Sequence, residues 1–252
     1  MHDLDRIREA ARHYDFGVRD PDRAEATARA ALRACRDALD ILVARLQDEG
    51  FPTSIPGRIR VELRDVERAV ALLPQRPPSV LRIFWEEVGC IRLADSRDCA
   101  HADFFDARGM VGPSPDRTTD PLWVDGPEPD WIAFLADDVE AWRDERADDD
   151  EEVEIEPFLL SLSPDHYHKD HISGGGPYGV ELGDDDWRPI FGGDFAWVGH
   201  RRPESVVEAG YATHFVSYLR AGILECAGFP GLYGSEEFEP LRRRLVADLP
   251  VF

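Results

Sequence analysis

Through the first ninety positions, apolar side chains return every three or four residues, the period of a helix with one buried stripe. Leu4, Ile7, Ala11 and Tyr14 predict a short amphipathic helix over 3–14. A stronger stripe follows in Ala28, Leu32, Cys35, Leu39, Leu42, Val43 and Leu46, preceded by Asp20-Pro21 as cap and first-turn proline and ended by Gly50. Residues 51–60, rich in proline and glycine, read as a loop. Leu63, Val66, Val70 and Leu73 describe a third helix, stopped by Pro74. Ser79 opens a fourth as its cap, with Val80, Leu81, Phe84, Trp85 and Val88 inward and Gly89 as its stop. Cys90–Leu93 predicts a short strand. The pattern then weakens from 95 to 130, where Phe104-Phe105 and Leu122–Val124 read as short strands between loops. Asp130 caps a further helix with Ile132, Leu135, Val139 and Trp142 inward, which runs out into Asp148, Asp149, Asp150, Glu151 and Glu152.

From there the period changes from 3.6 to 2. Val153 and Ile155, then Phe158, Leu160 and Leu162, then Tyr178, Val180 and Leu182 alternate with polar or small residues. Trp187–Phe191 and Asp194–Val198 predict further short strands. Thr213 is positioned to cap a helix holding Phe215, Tyr218, Leu219, Ile223 and Cys226, and a last helix covers about 236–248. Helices, then an antiparallel meander, then helices predict an α+β fold: an antiparallel sheet flanked by helices. The expected organisation is a helical extension over 1–60 and an α+β domain over 61–252.

Composition narrows the function classes. Apolar residues at 43% with six tryptophans support a folded core in 252 residues. The net charge of −22 repels nucleic acid and anionic lipid and favours cations or a basic protein as partner. No apolar run approaches the roughly 18 residues of a membrane span, and the first residues lack a secretory pattern. Four scattered cysteines without a Cys-x-x-Cys pair fit reduced, buried thiols in a cytoplasmic protein. Of 29 basic residues only Lys169 is a lysine.

That lysine lies in the stretch with the most candidate chemistry, Phe158–Leu182: an apolar run, three histidines, three glycines and a second apolar run. His166, His168, Asp170 and His171 have a spacing similar to the zinc motif of metallo-β-lactamase-like hydrolases. There, imidazole and carboxylate ligands on a turn after a strand hold a metal whose bound water attacks the substrate. The departures are several. Ile172-Ser173 lengthens the spacer before the glycines, and a strand pattern follows where that fold has a helix. Only 81 residues remain after His171, too few for the second half of such a fold. Gly174-Gly175-Gly176 leads into a strand rather than a helix N-terminus, which argues for a tight turn over a phosphate site. No Gly-x-Ser-x-Gly elbow occurs.

Three islands carry a family resemblance. Pro78–Gly89 resembles the proline-led helix and closing glycine that open the SUKH superfamily domain. Ser163-Pro-Asp-x-Tyr-His168-Lys169-x-x-x-Ser173-Gly174-Gly175-x-Pro177-Tyr178 is similar to a motif of bacterial proteins of that group, as is Phe215–Arg220 followed by Gly228–Gly231. The resemblance spans about 60–232 and leaves 1–60 unmatched. It implies an α+β fold with a curved antiparallel sheet, no catalytic residues and no cofactor. It further implies a protein-binding role, in many bacterial members that of an immunity protein neutralising a toxin of polymorphic or contact-dependent systems. His168, Lys169, Ser173, Gly174, Gly175 and Tyr178 are then the motif residues, and Asp148–Glu152 the charge run facing a basic toxin. A metal-dependent hydrolase built on the histidine turn and a housekeeping scaffold are the alternatives.

Overall fold

The computed structural model describes residues 4–94, 103–105, 107–108, 121–147, 157–163, 178–192, 212–229, 232–233 and 236–252. Its longest element is α2 (Ala24–Asp48), 25 residues or about 37 Å of helix. The apolar stripe along α2 is fully buried at Ala28, Leu32, Cys35, Leu39, Leu42 and Leu46. Around it pack α1 (Leu4–Gly17), β1 (Gly57–Ile59), α4 (Ser79–Glu87), α6 (Phe215–Arg220) with the π turn Ala221–Glu225 that continues it, and α7 (Glu239–Val246). Between β1 and α4 lies α3 (Leu63–Leu72). Residues 4–59 thus contribute two helices, with Phe51 and Ile55 after them, to the common core.

Among the described residues the strands form two antiparallel sheets, and the architecture is α+β. One sheet orders β1, β2 (Cys90–Arg92) and β3 (Trp123–Val124); the other orders β4 (Leu159–Ser163), β5 (Tyr178–Glu181), β6 (Ile190–Gly192) and β7 (Ala212–His214). The Asp125 amide, one residue past β3, donates to the Leu162 carbonyl of β4 at 2.6 Å and links them. In the second sheet the alternation sends Leu160, Leu162, Val180 and Phe191 inward. Phe191 meets Phe215 and Tyr218 of α6, and Phe215 meets Phe84 of α4, so two helices close the inner face.

Several expectations change at their edges. Asp20-Pro21 closes a turn ahead of α2: the Asp20 carbonyl accepts from the Arg23 and Ala24 amides, and the helix begins at Ala24. Phe104 and Phe105 sit in a helical turn, not a strand, because edge-on packing against Phe51 and Phe229 fixes both rings. Thr213 lies in β7, paired with Phe191, and the helix starts two residues later. Gly57–Ile59, read as loop, is a strand because β2 pairs with it. Trp187 belongs to the turn before β6 rather than to the strand. Val153, Ile155 and Asp194–Val198 lie outside the described residues.

Candidate protein interface

Helix α5 (Pro129–Ala147) buries one row of side chains. Trp131, Ile132, Leu135 and Val139 are buried at helical spacing. The ring of Trp131 meets Trp85 edge-on at 5.8 Å and Trp142 meets Phe158 at the same distance. These contacts, with packing on α3, fix the roll of the helix. Arg146 in the last turn lies 3.8 Å over the Trp142 ring, a cation held at the negative end of the helix.

The opposite face is therefore held outward. Asp130, Phe134, Asp137, Ala141 and Asp144 succeed one another at four- and three-residue steps, so they form one stripe. Phe134, 53% exposed, is a large apolar side chain in the midst of it. Burial, and then its neighbour Asp137, push the Asp138 carboxyl above the usual carboxylate range. Among the described residues Asp137, Asp138, Glu140, Asp144 and Glu145 pair with no arginine. Other carboxylates are neutralised in place: Glu87 by Arg29 and Arg33, Asp40 by Arg58, Glu49 by Arg244, Glu239 by Arg242 and Arg243. Over 129–152 the chain carries eleven carboxylates and two arginines. An apolar anchor inside an unneutralised acidic face is chemically suited to a cationic protein surface.

A second charged group lies where the sheets join. Arg92 of β2 reaches Asp125 at 3.0 Å and Glu128 at 2.6 Å, its guanidinium 5.1 Å over the Trp123 ring. Burial raises the pKa of both carboxyls, and it also pushes up the Cys90 thiol beside them, with Glu128 and Asp125 adding to the effect. A thiol held protonated is a poor nucleophile, and Arg92 Nε and Glu128 Oε2 have no hydrogen-bond partner among the described residues. Cys35 is raised by burial in the same way. No group of three metal-ligating side chains occurs among the described residues.

Of the residues singled out in the sequence, Tyr178 opens β5 opposite Ser163 of β4, where a bulge shifts the register. His166, His168, Lys169, Asp170, His171, Ser173, Gly174 and Gly175 lie outside the described residues, as do Asp148, Asp149, Asp150, Glu151 and Glu152. Phe134 is what the sequence reading missed. Its signal was present: an aromatic residue two positions past Ile132 and one before Leu135, off the buried stripe of its own helix. No helix of the described residues is long and apolar enough to cross a membrane. Compared with protein-family models, curated proteins and solved structures, the chain matches none.

Proposed function

We propose that this chain is a non-catalytic, cytoplasmic protein-binding module of SUKH type that neutralises a basic toxin, as an immunity protein does. The observation that carries this reading is the outward face of α5, with Phe134 exposed among carboxylates that, among the described residues, no arginine neutralises. The −22 charge of the whole chain and the three SUKH-like islands support it. In this reading the carboxylates draw the basic partner in, and Phe134 enters an apolar pocket on it once the charges have met.

The test is co-purification of the chain with the products of adjacent genes. A basic partner is retained by the native chain and lost by Phe134→Ala, which weakens binding by about 2 kcal/mol, roughly thirtyfold. An exposed side chain contributes little to folding, so the same variant keeps its unfolding midpoint within about 0.5 kcal/mol of native. If no neighbouring product binds, the immunity reading fails. If untagged protein carries one equivalent of zinc, iron or manganese, the metallohydrolase alternative replaces it.

A further inference from the structure

Helix α3 packs against α5, and the two leave from one place in the fold. Ile59, four residues before α3, pairs with Cys90 of β2. Beside Cys90 also stands Glu128, the residue before α5, whose carboxyl interacts with the Cys90 thiol. The chain between them, at Gly126, lies so close to Cys90 Sγ and the Trp85 ring that a Cβ would crowd both. The first turns of the two helices therefore start beside a single strand residue.

On α3 the inner row is Val66 and Ala69. Leu63, its first residue, is 55% exposed, and among the described residues only Phe16 leaves a larger share of a big apolar side chain in water. One exposed leucine is ordinary; a second large apolar side chain, Phe134, near the start of the adjoining helix makes a pair. The charges of the two helices differ. Buried Asp65 is approached by Arg68 at 3.2 Å and Arg64 at 3.8 Å, and over 60–72 three arginines balance three carboxylates. Over 129–147 six carboxylates outnumber Arg143 and Arg146, and Arg146 is held over Trp142. Helix α3 thus offers apolar area, and α5 offers apolar area with an excess of negative charge.

We infer that the outward faces of α3 and α5 form one groove that takes a basic amphipathic helix of the partner, its apolar stripe between Leu63 and Phe134 and its cations over α5. The inference rests on the reading of α5 as the face where a basic partner lands. Packed helices stand about 8–10 Å apart and leave a groove between them, and an amphipathic helix enters such a groove through apolar residues at helical spacing. A lysine-rich segment without an apolar stripe would meet the carboxylates of α5 and leave Leu63 and Phe134 in water. A wholly apolar helix would leave the carboxylates unanswered. Charge on one side and apolar contact on both select the class.

The probe is a synthetic helical peptide with leucine along one face and lysine along the other, titrated into the full chain by calorimetry. Salt of about 0.15 M screens charges beyond about 8 Å, so diffuse attraction to the acidic chain is suppressed. The control peptide has the same composition with its leucines spread round the helix. The striped peptide is expected to bind one per chain, and the control about tenfold more weakly. Leu63→Ala weakens the striped peptide about fivefold and Phe134→Ala about thirtyfold, and neither changes the control. Both side chains are exposed, so the unfolding midpoints of the two variants stay near native. The inference is overturned if the native chain binds both peptides equally, if it binds neither, or if Leu63→Ala binds like native. In that last case a loss at Phe134→Ala leaves the reading of α5 standing, and no loss there removes both.

Discussion

Arg220 shows what a single buried charge costs and what holds it. The residue is 1% exposed at the end of α6, and its Nε donates to the Phe252 carbonyl while the guanidinium lies 5.7 Å over the Phe252 ring. Burial lowers its pKa to about 10. The buried guanidinium is held by Phe252 and acted on through space by Asp15 and Glu225, while Nη2 has no hydrogen-bond partner among the described residues. Arg220→Met, which keeps the volume and removes the charge, is therefore expected within about 1 kcal/mol of native in urea unfolding. Arg220→Ala leaves a cavity and costs about 2–5 kcal/mol. Equal losses in the two variants would mean that the charge itself stabilises the fold. Glu239 is the opposite case. The hydrogen bonds from Arg242, against the opposing effect of burial and with help from Arg243, hold its pKa at about 2. A carboxylate whose folded pKa is depressed stabilises the fold above its unfolded value, near 4.3, and that contribution is lost as pH falls towards 2. Glu239→Gln is expected to cost about 1 kcal/mol at pH 7 and almost nothing near pH 2, as read from unfolding midpoints across that window.

At the scale of elements, α4 shows where local signals stop. Ser79 was expected to cap the helix. Pro78 occupies the cap position and has no side-chain cap, and Ser79 is the first helical residue. The helix start is held by Asp186 of the turn before β6, whose carboxylate accepts from the Ser79 amide at 3.2 Å and hydroxyl at 3.1 Å. The Asp186 carbonyl takes the Val80 amide at 2.9 Å. Asp184 and Asp185 fix that turn by accepting from the amides of Ile190, Trp187 and Arg188. Asp186→Ala is expected to cost about 1 kcal/mol, the usual loss of a cap, and Asp186→Asn clearly less. Equal thermal midpoints for native and Asp186→Ala would show that the Ser79 hydroxyl suffices. The same contrast explains how much of the fold was legible in the sequence. The stripe of α2 and the glycines that end helices are properties of a few adjacent residues. Gly50 and Gly89 both take positive φ, and at Gly89 a Cβ would strike the Ile59 carbonyl. The three-residue strands β1 and β7 have too few positions to show a period and exist because β2 and β6 lie alongside. At the site, the acid-rich end of α5 was legible as composition. Phe134 was legible only as an aromatic residue off the buried stripe; how far it is exposed depends on Trp131 and Trp142 having partners elsewhere that set the roll of the helix.

Over the whole molecule, arginine is spent largely on internal accounts: Arg58, Arg92, Arg242 and Arg244 each hold a carboxylate of a different segment or their own helix. The excess of 51 acids over 29 bases therefore falls on faces such as that of α5. A field of that origin acts at long range and is screened by salt, with a reach of about 30 Å at 0.01 M and about 3 Å at 1 M. A partner drawn in by it should associate fast at low salt. The association rate constant is expected to fall tenfold or more between those concentrations, with dissociation nearly constant. The two features of α5 then separate kinetically. Reversing Asp137 and Asp144 together to lysine lowers the association rate and flattens its salt dependence. Phe134→Ala leaves association within about twofold and speeds dissociation, because its contact forms only after the surfaces meet. Surface-immobilised partner with stopped-flow confirmation measures both constants. Were salt to act on dissociation alone, or the lysine variant to associate like native, the acidic face of α5 would not be where the partner first arrives.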